Sequence, residues 1–283
     1  VAMTAEQIAQ LTTDIVWLVN TELTLDNGEV ITALVPKVYI KPEAGDLAPE
    51  SGLLAGNEVT FDVQGQIFNS ASIRGQKNVS LDSERYQQRG GDVQSQSIAI
   101  NATDITMDGG TLAANHSLSL AADNDINISS SMTHSKQDQA NSHFERDNIK
   151  RYANLYVSDE TGQLIVDAQR NVALNAANID LSGEQSQTQI SAGQNLTLGT
   201  VNESETNLSI VDSRDFNKMS EQKDRGTSLR TNGDVSLMAG NTLQITAADI
   251  NSQQGKLELT AREVNIDNGE ARYQSDIATY TNR

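Results

Sequence analysis

The feature that most constrains this chain is a short motif returning about every twenty residues. The segments Gly56-Asn-Glu-Val-Thr-Phe61, Gln76-Lys-Asn-Val-Ser-Leu81, Gln96-Ser-Ile-Ala-Ile100 and Asn115-His-Ser-Leu-Ser-Leu120 share one pattern. Their first apolar positions are Val59, Val79, Ile98 and Leu118. The apolar-polar-apolar triplet returns at Val172-Ala-Leu174, Leu196-Thr-Leu198, Val235-Ser-Leu237 and Leu257-Glu-Leu259. Often a second triplet follows, as at Ile105-Thr-Met107, Ile126-Asn-Ile128, Ile179-Asp-Leu181 and Val264-Asn-Ile266. Fixed self-similarity at this period marks a repeat architecture. Strict alternation sends Val, Ile and Leu to one side of a short strand and Ser, Thr and Asp to the other. No unit leaves room for a helix of ten or more residues, so strand-helix-strand units are excluded. A leucine-rich repeat lacks its L-x-x-L-x-L core here. The expected fold class is all-β: a parallel β-helix, or β-solenoid, whose corners are turned by Gly and Asn. Asn side chains at equivalent corners can bond from coil to coil as a ladder.

Composition fits that core. Aromatic residues are 4% of the 283, so aliphatic side chains and Ala must fill the interior. Asp and Glu number 38 against 20 Lys and Arg, a formal net charge of −18. That excess argues against nucleic acid as a partner, since phosphate binding needs clustered cations. It also disfavours docking to anionic lipid. Cysteine is absent, which excludes disulfides, thiolate metal sites and thiol nucleophiles. No run approaches the roughly 18 apolar residues of a membrane-spanning helix. The N-terminus lacks the pattern of a signal peptide, and the chain reads as a piece of something longer.

All three prolines, Pro36, Pro42 and Pro49, lie close together, and none follows. They divide the chain into an N-terminal module, 1–50, and a repeat region, 51–283. Thr4 and Gln7 have capping-box spacing ahead of Ile8 and Leu11, which predicts a short helix. Glu22–Leu25, Asn27-Gly28 and Glu29–Val35 read as strand, turn, strand. The module is expected to cap the solenoid, burying Trp17, because an open coil end is an unpaired strand edge.

Two polar segments break the rhythm, at about 132–161 and 201–231. Both are expected to be insertions projecting from the coils, as hairpins or loops, and their similarity hints at a higher-order duplication. Loops on a rigid scaffold often carry recognition. Phe144, Arg151, Tyr152 and Tyr156 in the first insertion are the candidate binding residues, being of the types that dominate hot spots.

Leu11-Thr-Thr-Asp-Ile-Val-Trp-Leu-Val19, Val35-Pro-Lys-Val-Tyr39 and Gly52-Leu-Leu-Ala-Gly-Asn57, followed by the twenty-residue units, resemble a block of large secreted proteins. These are the filamentous-haemagglutinin-like exoproteins of Gram-negative two-partner secretion. Contact-dependent growth inhibition effectors are the most similar group. The resemblance implies a right-handed β-helix on a secreted, cell-surface filament. It implies a place in the second filamentous region, ahead of the C-terminal toxin and engaging the target cell's outer membrane. It implies an outer-membrane transporter as a partner, reached through parts outside this chain. No toxin activity of its own is implied.

Several side chains are of types that carry chemistry. Asp123 and Asp125, or Asp104 and Asp108, offer paired carboxylates of the kind glycosidases use. Asp beside turns is also ordinary on a solenoid surface, and no enzymatic activity is expected. His134 and His143 match no metal-binding spacing, and His116 stands apart from both. Gly90-Gly-Asp92 and Gly109-Gly110 are too isolated for a calcium-binding nonapeptide array. No cofactor is expected. The alternatives are an adhesin stalk that binds a surface through the insertions, or, third, a β-helical polysaccharide-degrading enzyme.

Overall fold

The computed structural model describes residues 15–24, 30–39, 52–139, 141–212 and 215–279. Compactness divides the chain into two units, Val1–Ser51 and Gly52–Arg283.

In the first unit, β1 (Ile15–Thr24) and β2 (Val30–Tyr39) form an antiparallel hairpin with Trp17 opposite Lys37 and Thr24 opposite Val30. The separate short strands read from the sequence are thus parts of one longer pair. The expected helix at 4–11 and the Asn27-Gly28 turn lie outside the described residues.

The second unit is a parallel β-solenoid of three-sided coils. The first three coils are β3 (Leu53–Asn69), β4 (Ser72–Arg89) and β5 (Asp92–Asp108). The fourth is β6 (Gly110–Ala122) with β7 (Asp125–Ser129). Between the fourth and fifth lie β8 (Ser131–Gln139) and β9 (Ser142–Arg151), which belong to no coil. The fifth is β10 (Ala153–Val157), β11 (Gln163–Ala168) and β12 (Asn171–Asn175). The sixth is β13 (Ala177–Leu181), β14 (Gln187–Ala192) and the start of β15 (Asn195–Asp212), whose remainder leaves the stack and returns as β16 (Asp215–Gly226). The seventh is β17 (Ser228–Thr231), β18 (Asp234–Ala239) and β19 (Thr242–Thr246). The eighth is β20 (Asp249–Ser252), β21 (Leu257–Thr260) and β22 (Glu263–Asp267), followed by β23 (Ala271–Ala278).

The register explains why the repeat is twenty residues or a little more. Val59, Val79, Ile98, Leu118, Leu164, Thr188, Val235 and Leu257 stack in one column, each on the residue one coil away. The residue two further along each strand builds a second column, from Phe61 through Leu81, Ile100, Leu120, Val166, Ile190 and Leu237 to Leu259. Val79, Leu81, Ile100, Leu118, Leu120, Leu164 and Val166 are wholly buried. Removing a buried leucine from such a column costs about 2–5 kcal/mol, because both neighbours keep their places and leave a cavity. The inward assignment of the triplets therefore holds through the seventh coil; in the eighth, Leu257, Val264 and Ile266 are exposed.

The Asn ladder is also present. Asn171 donates to Asp125 at 2.9 Å, Asn195 to Asn171 at 3.0 Å and Asn178 to Asn154 at 3.2 Å.

The insertions are shorter than the sequence indicated. The first ends at Arg151, not 161, and the second at Gly226, not 231. Ala153, Leu155 and Val157 alternate inward and are 0–2% exposed, so residues 152–161 belong to the fifth coil. The same alternation returns Leu229 and Thr231 to the seventh.

Candidate interaction surface

Both hairpins leave the stack at the same corner, between the third side of one coil and the first side of the next. In the intervening coils that corner is turned by a single left-handed residue, Ala176 (φ 50°) after the fifth coil and Ala247 (φ 51°) after the seventh. Hairpin and tight corner alternate, one hairpin for every two coils.

The hairpins do not stand apart. Return strand β9 pairs antiparallel with the outgoing half of β15, Glu145 opposite Thr206 and Asp147 opposite Ser204. Return strand β16 pairs in the same way with β23, Glu221 opposite Tyr273. With the two hairpin pairings, the order is β8-β9-β15-β16-β23, a five-stranded antiparallel sheet beside the coils. Geometry explains the spacing. A hairpin adds two strands at about 4.8 Å each, and two coils rise by the same amount. The lateral sheet and the solenoid therefore stay in step.

Each face of this sheet carries a polar network. On one face, Asp147 accepts from Ser204 at 3.2 Å and pairs with His134 at 2.8 Å. There too Asp138 bonds His143 and Lys136, His143 reaches Glu145 at 3.3 Å, and Thr206 meets Ser220 at 3.1 Å. The His143 hydrogen bond, then that of Lys136, holds the Asp138 carboxyl below its usual range; that of His134 lowers Asp147. On the other face, Arg146 pairs with Glu205 at 3.4 Å and Arg225 with Glu203. Partial burial works to raise Glu203, but the Arg225 bond and the Ile149 amide outweigh it and the carboxyl is lowered. These exposed pairs are individually weak. Lys136 with Asp138 and His143 with Glu145 each lie within one strand; the others link strands from different hairpins or from the two arms of one, and their value is register.

At the base of the second hairpin, an open groove of about 540 Å³ lies between the outer side of the coils and the hairpin's root. Tyr152, Tyr156 and Asp180 line one wall, Asp224 and Arg225 the other, with Arg230 beside them. Tyr152 and Tyr156 are 42% and 38% exposed. Burial, then the nearby Asp180 carboxylate, raises the Tyr156 phenol above its usual range. Gly226 fixes the root: a Cβ there would lie 1.8 Å from the Ala247 carbonyl oxygen. Arg225 also lines a second concavity with Arg146, Glu203, Glu205 and Lys223 on the lateral sheet.

The structure thus joins two of the four residues singled out from sequence, Tyr152 and Tyr156. Phe144 lies out on β9, opposite Asn207. Arg151 ends β9 and donates to the Gly90 carbonyl, bracing the hairpin against the corner between the second and third coils. Sequence reasoning missed Arg225 and Arg230, which lie 69 and 74 positions beyond Tyr156.

Of the four carboxylates named for catalysis, two serve the ladder: Asp123 accepts from Gln169 and Asp125 from Asn171. Among the described residues, no cluster of His, Cys, Asp and Glu is arranged to hold a metal. Likewise, no helix among them is long and apolar enough to cross a membrane, which says nothing of strand-built spans.

Comparison with known proteins agrees with this architecture. The hemagglutinin repeat family model matches residues 69–149 and 208–281. Each match takes in coils and at least one lateral strand. The chain is 30% identical over 207 residues to the tRNA nuclease CdiA of Escherichia coli strain 536, covering 65% of this chain and 6% of that protein. It is 28% identical over 206 residues to the tRNA nuclease CdiA of Escherichia coli strain NC101, with the same coverage. It is 33% identical over 129 residues to the 16S rRNA endonuclease CdiA of Enterobacter cloacae, covering 45% of this chain and 3% of that protein. The chain therefore spans 6% or less of the length of the curated relatives it matches. No solved structure matches it. The repeats, the solenoid and these relatives agree: the chain belongs to the hemagglutinin repeat family, as a region of the filamentous-haemagglutinin-like, CdiA type.

Proposed function

We propose that this chain is a structural and interaction segment of a large secreted filament on the surface of a Gram-negative bacterium. It contributes to contact-dependent toxin delivery at the outer membrane of a target cell. The observation that carries this reading is the lateral sheet kept in step with the coils. It gives the rod one continuous polar flank that lengthens with the repeat, which suits a segment acting by shape and surface. The kinship with CdiA supports the setting. Those relatives are named for nuclease activity, and the part matched here is a small fraction of each. The nuclease reaction is therefore assigned to other parts of such proteins, with no bond chemistry in this segment. Export through an outer-membrane transporter, by way of regions outside this chain, belongs to the same reading. So does a right-handed coil, the sense that nearly all parallel crossovers adopt. The expected capping role of residues 1–50 is part of it too, and removing them should convert a monodisperse protein into aggregates.

The test is co-sedimentation of the purified chain with Gram-negative outer-membrane vesicles. Saturable binding that is lost when Tyr152, Tyr156 and Arg225 are replaced together by Ala supports a membrane-engaging segment. Absence of binding at any vesicle concentration contradicts it.

One observation favours a second reading, an adhesin stalk. The Tyr152–Tyr156–Arg225 groove offers aromatic faces beside carboxylates and guanidinium groups, the mixture suited to a glycan or a polar loop. Binding to soluble glycans, with none to glycan-free vesicles, would select that reading.

A further inference from the structure

The first four coils turn the corner between their first and second sides on a small residue, Gly56, Gly75, Ser95 or Ala114. A Cβ at Gly75 would lie 2.5 Å from the Asn78 carbonyl oxygen and 2.8 Å from Val79 Cγ2, so the chain folds inward there. In the fifth and sixth coils the same position holds buried Val157 and Leu181, and residues 158–162 and 182–186 carry the chain around a wider corner. The small corners leave an open groove of about 600 Å³ along the first four coils. Three coil-to-coil steps make it about 14 Å long. The fifth coil closes its end, where the Ser158 hydroxyl donates to the Asn115 side chain at 3.3 Å and the Asp159 amide to the Asn115 carbonyl at 2.8 Å.

An amide follows the small residue in every one of these coils: Asn57, Gln76, Gln96 and Asn115. All four line the groove, with Gln94 and Arg74 beside them. The pairing register also shifts at this corner in each of the first three steps, between Gly56 and Glu58, Arg74 and Asn78, and Ser95 and Ser97. Irregularities of this kind re-aim side chains and are common next to sites. Elsewhere on the solenoid an amide bonds the next coil, as Asn195 does Asn171. Among the described residues, the side chains of Asn57, Gln76, Gln94 and Gln96 make no hydrogen bond, and Arg74 makes no ion pair. Ser95 also lines the groove; it is 5% exposed, and its hydroxyl has no partner. No carboxylate among the described residues lines it, in a chain with 38 Asp and Glu against 20 Lys and Arg.

Amides both donate and accept, as hydroxyl groups do, whereas a guanidinium only donates and matches a carboxylate. One cation serves one acidic group and is too few for a polyphosphate chain. We propose that this groove binds a short glycan, whose hydroxyl groups meet the amides and whose carboxylate meets Arg74. The site is separate from the Tyr152–Tyr156–Arg225 groove and does not depend on the vesicle binding proposed above.

The test is calorimetric titration of the full chain with a hyaluronan tetrasaccharide, which alternates glucuronate with N-acetylglucosamine. Chitotetraose, the N-acetylglucosamine tetramer, is the neutral counterpart. Hyaluronan binding should be saturable and at least about tenfold tighter than chitotetraose binding, the effect of one charge-assisted hydrogen bond. Arg74→Ala should remove that difference by weakening hyaluronan alone. Gln76→Ala with Gln96→Ala should weaken both sugars. These three side chains are exposed, so thermal midpoints should match the unaltered protein and separate lost contacts from a lost fold. No binding of either sugar by the folded chain would overturn the proposal, and so would equal binding of the two. Binding lost with Tyr152→Ala and Tyr156→Ala but kept in the Arg74 and Gln variants would also overturn it, because the sugar would then occupy the other groove.

Discussion

The Ser130 hydroxyl donates to the Ala176 carbonyl oxygen at 2.6 Å, across 46 residues of sequence. The Ser130 hydroxyl oxygen in turn accepts from the Ala153 amide at 3.0 Å. Ser130 is the last residue before the first hairpin, and its side chain is buried where the coil is interrupted. It takes over hydrogen bonds that a continuous backbone would otherwise make. Thr227, the first residue after the second hairpin, does the same. It donates to Leu174 O at 2.7 Å and accepts from Ala177 N at 3.3 Å.

Ser130→Ala should therefore leave a buried amide and a buried carbonyl unmet, lowering stability by about 1–3 kcal/mol. Thr227→Val should do likewise. Urea unfolding measures both. Midpoints within error of the unaltered protein would show that these hydroxyls are replaceable.

Thr188 makes the opposite prediction. It sits at 2% exposure in a column of aliphatic residues, stacked between Leu164 and Val235, and its hydroxyl has no partner. Thr188→Val keeps the shape and removes the unpaired group. Stability should rise by about 1 kcal/mol, the lower end of the penalty for an unmet buried hydroxyl. A lower thermal midpoint would contradict this placement.

The two-coil spacing predicts the effect of removing one coil. Deleting residues 153–176, the fifth coil, joins Tyr152 to Ala177 and leaves the first hairpin one strand width out of step with the second. Exchange over 142–151 should rise sharply while the interior of β4, β5 and β6 stays protected. Deleting the first hairpin alone, with a single Gly in its place, should leave the solenoid cooperative.

The lateral sheet should respond to acid. Asp138 and Asp147 have lowered carboxyl pKa values because His143 and His134 hydrogen-bond them. A lowered folded value stabilises the folded state above the unfolded pKa, near the usual 3.8. That contribution is lost as pH falls below it, through the lowered folded values. Exchange over 131–151 should therefore accelerate as pH drops below about 4, after correction for intrinsic rates. The Asp147→Asn variant should flatten the response.

The solenoid was legible in the sequence because its cause is local and periodic. Val59, Val79, Ile98 and Leu118 face inward for a reason visible within three residues of each. The lateral sheet was not legible. Its strands lack a continuous apolar face, and contacts such as Arg146 with Glu205 pair residues from hairpins separated by two coils. Polar composition marked both segments but not their partner, which was each other. The insertion ends were misplaced for a related reason. Tyr152 and Tyr156 read as part of a polar excursion, although Ala153, Leu155 and Val157 between and beside them already carried the inward alternation. Arg225 joins their groove only because the second hairpin returns to the stack two coils later.

The most direct test of the account is whether the two hairpins meet in the stated register. The chain has no cysteine, so a designed pair reports without background. Glu145 and Thr206 are partners across β9 and β15. Under mild oxidation, Glu145→Cys with Thr206→Cys should form an intramolecular disulfide in the folded monomer. Glu145→Cys with Glu203→Cys should not, because Glu203 lies on the opposite face of the sheet. Efficient crosslinking of the second pair, or none of the first in a folded monomer, would contradict a lateral sheet kept in step with the coils.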